Sequence, residues 1–406
     1  MESTDELRSR VRGWLAGHYL QRDPNRDDDR VDIIARAPDG HQALVEGGIA
    51  MQRELAAAGF MGLKHPKEYG GGGLTAAHDQ IVAEEMQGFE CPSIRPLSLG
   101  MGLALPTLLK HGSEAQKRRF APKIIAGQEV WCQLFSEPDA GSDLVSLRTK
   151  ATRNGDVWVV SGQKVWSSMA ADAQFGIMLA RTDPTAATPH SGITMFILPM
   201  DRAGVTVRSL VDIAGGHHFN EVFLESVEMT DDEIVGELNK GWQVATGTLS
   251  GERGGYVGGS GGGRRHRQVM AALAAAPAGA GPVERQRAVD VVARELLLDW
   301  LVARVRAGTV GGGNPVAGSL IKLAAGNLEQ LASEVIIDLL GPAGVAWASD
   351  DRDGDVASHI LNAARQATIA GGTHQIQRNL LGERVLGLPR EPEIARKASH
   401  DRYSPV

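Results

Sequence analysis

The stretch Leu134-Phe-Ser-Glu-Pro-Asp-Ala-Gly-Ser-Asp143 lies near the point where the chain changes from helical patterning to strand patterning. Pro138 and Gly141 favour a tight loop, and the serine hydroxyls and backbone amides of the stretch can donate hydrogen bonds. Taken alone, the stretch also fits an ordinary Asx-type turn between a helix and a sheet. Its meaning therefore depends on the elements on either side of it.

The residues before Gln128 have the pattern of helices. The apolar residues of the first segment recur at the spacing of one helix face: Leu7, Val11, Trp14 and Leu15. Further helices are predicted over residues 41–59, from about Leu74, and over residues 114–125, and a run of glycines at 70–73 separates elements. We therefore predict an N-terminal α-helical domain over residues 1–128.

After Gln128 the chain consists of short β-branched and aromatic runs that are separated by turn residues. The runs cover residues 156–160, 175–180, 192–198, 205–210 and 220–229. The turn signals between them are Asn154-Gly155, Asp183-Pro184 and Ala203-Gly204. These features predict an antiparallel β-domain over residues 129–240.

From Gly241 the pattern is helical again, with long segments at residues 284–306, 316–340 and 356–369. We predict a C-terminal helical domain over residues 241–388 and a charged tail over residues 389–406. The order of helices, strands and helices indicates the α+β fold class.

The chain has 406 residues, a net charge of -7 and two cysteines, Cys91 and Cys132. The acidic balance argues against general nucleic-acid binding, and two cysteines do not build a disulfide framework. The N-terminal sequence MESTDELRSR lacks the apolar core of a signal peptide, and no apolar run is long enough for a membrane span. We therefore expect a cytoplasmic protein with no nucleic-acid partner and no membrane span.

Four motifs in this order resemble the acyl-CoA dehydrogenase family across nearly the whole chain. They are Phe60-Met-Gly-Leu-Lys-His-Pro-Lys-Glu-Tyr-Gly-Gly71, the opening stretch, Gly162-Gln-Lys-Val-Trp-Ser-Ser168 and Ala367-Thr-Ile-Ala-Gly-Gly-Thr-His-Gln-Ile-Gln377. The resemblance implies FAD, an acyl-CoA substrate, and an electron-transferring flavoprotein as electron acceptor. It also implies a helical N-terminal domain, a β-barrel-like middle domain, a C-terminal four-helix bundle and usually a tetramer.

The resemblance assigns the opening stretch to the flavin. Leu134, Phe135 and Ser136 would lie along the isoalloxazine ring, where amides and the Ser136 hydroxyl can donate to the edge that becomes negative on reduction. Ser142 would reach the flavin phosphate or the CoA moiety.

Two further motifs have roles by resemblance. Trp166 would stack against the flavin and Ser168 would bond near its N5 or O4 edge, although a tryptophan at a strand end is more often a core residue. Thr373 and Gln375 would lie on the pyrophosphate and adenosine side, where the start of a helix suits phosphate. The same threonine also fits an ordinary helix N-cap.

The resemblance implies a glutamate that removes the α-proton of the thioester while the β-hydrogen passes to flavin N5 as a hydride. Many members carry it directly before the Gly-Thr pair, where this chain has Gly371, which retains only the backbone N–H that polarises the thioester oxygen. Other members carry it before an arginine at the start of the C-terminal domain, and Glu252-Arg253 matches that place. We therefore predict Glu252 as the base and Arg253 as a substrate contact, although Glu252 alone also fits a surface glutamate.

Two stretches depart from the family pattern. Residues 254–263 read GGYVGGSGGG, which forms either a flexible loop or space for a bulky acyl group such as a branched, polyketide or steroid-derived chain. The Phe-Gly motif that contacts a neighbouring subunit's flavin is absent, and Asp338-Leu-Leu-Gly-Pro342 is altered as well. Either Arg264, Arg265 or Arg267 replaces the motif, or a different partner subunit completes the site.

Three interpretations therefore remain open. The leading one is an FAD-dependent acyl-CoA dehydrogenase that forms a homo- or hetero-oligomer. The others are a non-catalytic partner subunit of a hetero-tetramer and an O₂-reactive flavin oxidase or monooxygenase of the same fold. No metal site is predicted, because the adjacent His217 and His218 point to opposite faces of a strand and lack further ligands at suitable spacing.

Overall fold

The computed structural model describes residues 2–23, 38–256, 264–276, 279–310, 315–345 and 360–390. Within these ranges the chain passes from helices through a sheet to helices again, which confirms the α+β class. The main helices are α1 (Thr4–His18), α2 (Pro38–Ala57), α3 (Ala76–Gln87), α4 (Leu105–His111), α5 (Glu114–Ile125), α6 (Gly241–Tyr256), α7 (Arg264–Ala275), α8 (Pro282–Arg306), α9 (Gly318–Leu340) and α10 (His374–Arg384). The strands are β1 (Trp131–Leu134), β2 (Lys150–Asn154), β3 (Val157–Lys164), β4 (Phe175–Arg181), β5 (Ile193–Pro199), β6 (Val205–Leu210) and β7 (Phe219–Met229).

The first helix shows how local sequence specifies the N-terminal domain. Ser3 caps α1: its Oγ accepts from the Glu6 N–H at 3.3 Å, and the Glu6 carboxylate accepts from the Ser3 N–H at 2.8 Å. The predicted apolar face of Leu7, Val11 and Leu15 is buried against α2 and α3. The other predicted helices of this domain are confirmed as α2, α3 and α5.

The seven strands form one sheet in the order β1-β4-β2-β3-β7-β6, with β5 paired to β4. The predicted antiparallel pairing is confirmed for four of the six pairings among the described strands, whereas β1 and β2 each pair with β4 in parallel. Neither β1 nor β2 is evident in the sequence, since β1 is short and β2 is polar and largely exposed. The predicted turn at Asn154-Gly155 is confirmed, with Asn154 paired to Val157 and Gly155 at a φ of 59°.

Strands β4 and β5 form the wall between two apolar cores. Ile177 and Leu179 of β4 pack with residues of α4 and α5, whereas Met178 and Ala180 pack with residues of β3 and β7. Burial on both faces explains why β4 and β5 have nearly continuous apolar sequences. The sheet is thereby fixed directly against the N-terminal helices.

The C-terminal domain has its own core, to which α7, α8 and α9 contribute. The predicted helices at 284–306 and 316–340 are confirmed as α8 and α9, with slightly different ends. The described part of the predicted 356–369 segment is helical from residue 360. Residues 257–263 of the glycine-rich stretch and 391–406 of the predicted tail lie outside the described residues.

Across the described ranges, none of the helices combines the length and the apolar character that crossing a membrane requires.

Candidate functional site

The first candidate flavin segment lies where β1 ends. Leu134 and Phe135 are buried, and Ser136 is partly exposed in the loop that follows. The Ser136 carbonyl accepts a hydrogen bond from the Val165 N–H at 2.9 Å. This bond brings the segment together with the second candidate segment, which begins at the end of β3 and continues beyond it. Ser142 is exposed farther along the same loop.

Glu137 and Lys164 form a buried ion pair that joins this loop to β3. Lys164 Nζ lies 2.8 Å from Glu137 Oε1, and the lysine side chain is fully buried. The same carboxylate accepts from the N–H groups of Arg148 at 2.6 Å and Thr149 at 2.9 Å. Lys164 also donates to the Phe135 carbonyl at 3.2 Å. The pair therefore ties both ends of the loop to the end of β3.

The contacts of Glu137 decide its charge. Burial alone raises the pKa of this carboxyl, but the Lys164 ammonium and the hydrogen bonds outweigh burial and hold the pKa below its ordinary value. The Glu137 carboxyl is therefore ionised near neutral pH. Such a pair stabilises one arrangement of the loop, because removal of either partner leaves a buried charge uncompensated.

The second segment presents Trp166 to solvent. Its side chain is 55% exposed, and its backbone has a φ of 58°, which is unusual for a residue with a side chain. The exposure excludes the alternative of a core tryptophan. Ser168 is partly buried two residues later. An exposed indole beside a serine hydroxyl fits the planar, hydrogen-bonding ring of a flavin.

The third segment is the turn before α10. Gly371 and Gly372 have φ values of 66° and 92°, and among the described residues no group accepts from either N–H. Thr373 caps α10, since its hydroxyl accepts from the Ile376 N–H at 3.3 Å, which confirms the N-cap alternative. Gln375 is exposed. No described contact joins this turn to the first two segments.

Two buried basic groups lie behind that turn. Lys322 of α9 is 1% exposed, and its Nζ has no hydrogen-bond partner among the described residues. Burial lowers its pKa to about 8. His374, the first residue of α10, packs closely on α9, because a Cβ added at Gly326 would lie 2.4 Å from its Nε2. Burial, together with the charges of Lys322 and Arg378, lowers the pKa of His374.

The predicted base falls on α6, but the side chains of Glu252 and Arg253 lie outside the described residues, as does that of Arg264. Arg265 is buried and pairs with Glu329. It is therefore engaged within its own domain, which disfavours it as a replacement for the missing flavin contact. Arg267 is exposed on α7.

His218 lies directly before β7. It is buried, and its Nδ1 lies 3.7 Å from an oxygen of Asp212. In the part of the chain that the structure describes, no three potential metal ligands come together.

Lys164 and Glu137 lie at the candidate site and are not singled out by the sequence analysis. The sequence does contain a signal for Lys164. Trp158, Val160 and Lys164 fall on alternate positions of β3, so the lysine side chain belongs to the inward face of the strand. A lysine that is buried there needs a carboxylate as its partner.

Comparisons with known proteins give the same family for each part of the chain. The acyl-CoA dehydrogenase N-terminal domain matches residues 3–128, the middle domain matches residues 132–227, and the C-terminal domain matches residues 239–386. The chain is 36% identical over 394 residues to the acyl-CoA dehydrogenase IpdE1 of Mycobacterium tuberculosis, which covers 96% of this chain and 99% of that protein.

Two solved structures are also similar over nearly their whole length. The Tcur3481-Tcur3483 steroid ACAD has a TM-score of 0.77 and 26% identity, and covers 96% of this chain and 99% of that chain. The ChsE4-ChsE5 complex from Mycobacterium tuberculosis has a TM-score of 0.74 and 28% identity, with the same coverage of 96% and 99%.

We expect Lys164→Met to destabilise the protein by roughly 3–5 kcal/mol, because Glu137 would stay buried without its cation. Glu137→Gln should have a similar effect. The double variant should lose clearly less than the sum, since no uncompensated charge remains. Urea unfolding measures all three, with Lys150→Met on exposed β2 as the control. Strictly additive losses would show that the two residues are not coupled.

The low pKa of Lys322 predicts pH-dependent stability. From about pH 8 to about pH 10.4, the unfolded lysine keeps a proton that the folded one has lost, so stability rises with pH. We expect Lys322→Met to be more stable than the wild type at pH 7, and this advantage to shrink by up to about 3 kcal/mol by pH 10.4. Urea unfolding across this range measures it, again with Lys150→Met as the control. An advantage that does not change with pH would contradict the assignment.

Proposed function

The chain belongs to the acyl-CoA dehydrogenase family of FAD-dependent oxidoreductases, and we propose that it introduces an α,β double bond into an acyl-CoA thioester. Glu252 removes the α-proton and the Gly371 amide polarises the thioester oxygen. The observation that carries this proposal is the 2.9 Å bond from Val165 to Ser136. It joins two candidate flavin segments beneath an exposed indole, and the buried ion pair holds them there.

The anchoring of α6 supports Glu252 as the base. Thr248, one helical turn before Glu252, is buried, and its Oγ1 lies 2.7 Å from Oγ1 of Thr107 on α4. Val244 and Ala245 pack in the same core as α4. A general base has to be held in a fixed orientation and partly removed from water, so that its pKa approaches the working pH.

The turn at Gly371 can provide a backbone hydrogen-bond donor, but it has no side chain that could act as the general base. Its N–H and that of Gly372 have no acceptor among the described residues, so they could donate to a thioester oxygen, which gains negative charge when the α-proton leaves. A side chain at Gly371 would adopt a left-handed backbone, at a cost of roughly 1–2 kcal/mol. The position therefore suits a backbone donor, and the proton has to go elsewhere.

FAD, when bound, supplies the acceptor for the β-hydrogen as a hydride. In this proposal the isoalloxazine is held by Leu134, Phe135, Ser136, Trp166 and Ser168. The phosphate, adenosine and CoA side is held by Ser142, Thr373 and Gln375, and Arg253 contacts the substrate.

A bulky, steroid-derived acyl chain is the proposed substrate class. The small residues of the 254–263 stretch would leave room for such a group, and one similar structure is named a steroid ACAD. We propose an electron-transferring flavoprotein as the acceptor of the electrons.

The first test is the visible spectrum of the protein expressed alone, recorded anaerobically with a panel of acyl-CoAs that includes steroid side-chain thioesters. We expect an oxidised-flavin spectrum that one thioester bleaches. In Glu252→Gln, bleaching should slow by roughly a hundredfold to ten-thousandfold, because the general base is lost. Glu237→Gln, an exposed carboxylate before α6, is the control. Equal rates in both variants would remove Glu252 from the mechanism.

Other results of the same test support the alternatives. Fast reoxidation by air after a non-CoA substrate would indicate a flavin oxidase. A protein that takes up FAD only when a second acyl-CoA dehydrogenase chain is co-expressed would indicate a partner subunit. The second alternative has support, because both similar structures are named as pairs of chains.

The exposed face of α8 supports an oligomer. Four large apolar residues, each more than half exposed, recur along one side of this helix: Val289, Leu296, Leu297 and Trp300. Large exposed apolar side chains that share one face of a helix are typical of an interface between subunits.

We expect Leu297→Glu to reduce the assembly to smaller species, because a charge would be buried at the interface. Leu238→Glu places the same charge at an exposed leucine before α6 and should leave the mass unchanged. Light scattering after size-exclusion chromatography measures both. An unchanged mass in Leu297→Glu would exclude this face as the interface.

A further inference from the structure

We propose that Asn220 is a positioning residue that fixes the orientation of Trp166. The functional consequence rests on the proposed function, in which Trp166 faces the flavin. The orientation itself is a property of the chain alone and can be measured without FAD.

The orientation of Trp166 needs such support because the contacts of its own side chain stabilise it little. Its backbone is left-handed, which costs a residue with a side chain roughly 1–2 kcal/mol, and Met169 has a similar φ of 62°. The indole is mostly exposed, and its described ring contact is a perpendicular contact with Phe219, with centroids 5.5 Å apart. A strained, exposed loop keeps one conformation only if the backbone on either side is held.

Asn220 holds both polar backbone groups of the residue after Trp166. The Ser167 N–H donates to the Asn220 carbonyl at 3.0 Å, and Asn220 Nδ2 donates to the Ser167 carbonyl at 3.1 Å. Asn220 lies on β7 and is 1% exposed, so the sheet fixes it. On the far side of the loop, the Met169 N–H donates to the His218 carbonyl at 3.0 Å.

The side chain at position 220 has to donate hydrogen bonds, and an amide can do so. Asn220 Nδ2 faces two carbonyl oxygens, those of Ser167 at 3.1 Å and His218 at 3.4 Å. Only a donor is compatible with two acceptors, which also identifies the facing atom as nitrogen. An aspartate of the same shape would place a carboxylate oxygen against both carbonyls. The backbone bond from Ser167 to residue 220 does not depend on the side chain.

The test uses protein labelled with 5-fluorotryptophan and ¹⁹F NMR, first without FAD. The chain has seven tryptophans, and the Trp166 signal is the one lost in Trp166→Phe. We expect Asn220→Asp and Asn220→Ala to shift or broaden the Trp166 signal while the other six stay in place. In Asn220→Asp the signal should return toward the wild-type position at low pH, where the protonated acid can donate again.

Gln52→Leu is the matched control. Gln52 is equally buried, and its Nε2 donates to the Ile124 carbonyl at 2.7 Å in the N-terminal domain. Its loss should lower stability to a similar extent without moving the Trp166 signal. If Gln52→Leu moves that signal as much as Asn220→Asp does, or if Asn220→Asp leaves it unchanged, Asn220 has no specific positioning role.

Titration with FAD then separates the two proposals. We expect the dissociation constant of FAD to rise about tenfold in Asn220→Ala, as for the loss of one well-placed interaction. A displaced Trp166 signal with unchanged FAD affinity would keep Asn220 as the positioning residue and remove Trp166 from the flavin site. Asn220→Ala removes the donor without adding a charge, so the test remains valid if Asn220→Asp fails to fold.

Discussion

The buried Glu137–Lys164 ion pair is the interaction on which the arrangement of the site depends. Two charges removed from water are tolerable only when each has several partners, and here the partners are the backbone groups at both ends of one loop. That loop and the end of β3 therefore cannot move independently. The ion pair restricts the geometry of the surface beside Trp166, in addition to its effect on overall stability.

Local pattern predicts most of the fold. Helical spacing predicts α1, whose Leu7, Val11 and Leu15 are buried, and β-branched and aromatic runs predict β3 and β6. The parallel pairing of β1 with β4 is not predictable in this way, because it depends on residues far apart in sequence and β1 is only four residues long. The continuous apolar runs of β4 and β5 do carry a signal, since a strand buried on both faces must lie between two layers.

The site is less predictable than the fold. Motif resemblance predicts Trp166 as a flavin contact, and the structure adds that its indole is exposed on a left-handed backbone. The residues that hold it escape prediction, because a hydrogen bond from Asn220 to a backbone carbonyl has no sequence signature. Lys164 is the exception, since its place on an inward-facing alternation predicts a buried partner. The role of Glu252 remains a prediction from resemblance, because its side chain lies outside the described residues.

The hydrogen bond between Thr107 and Thr248 spans 141 residues, and this has a consequence for biosynthesis. The N-terminal helices and the sheet leave the ribosome before α6 does. Until α6 follows, the Thr107 hydroxyl on α4 lacks its Thr248 partner and the apolar side of α4 is not covered by α6. The helix that carries the candidate base therefore packs last against a core that the earlier elements have already partly formed. A nascent chain that stalls before α6 would expose this surface, which makes it a natural target for chaperones and a starting point for aggregation.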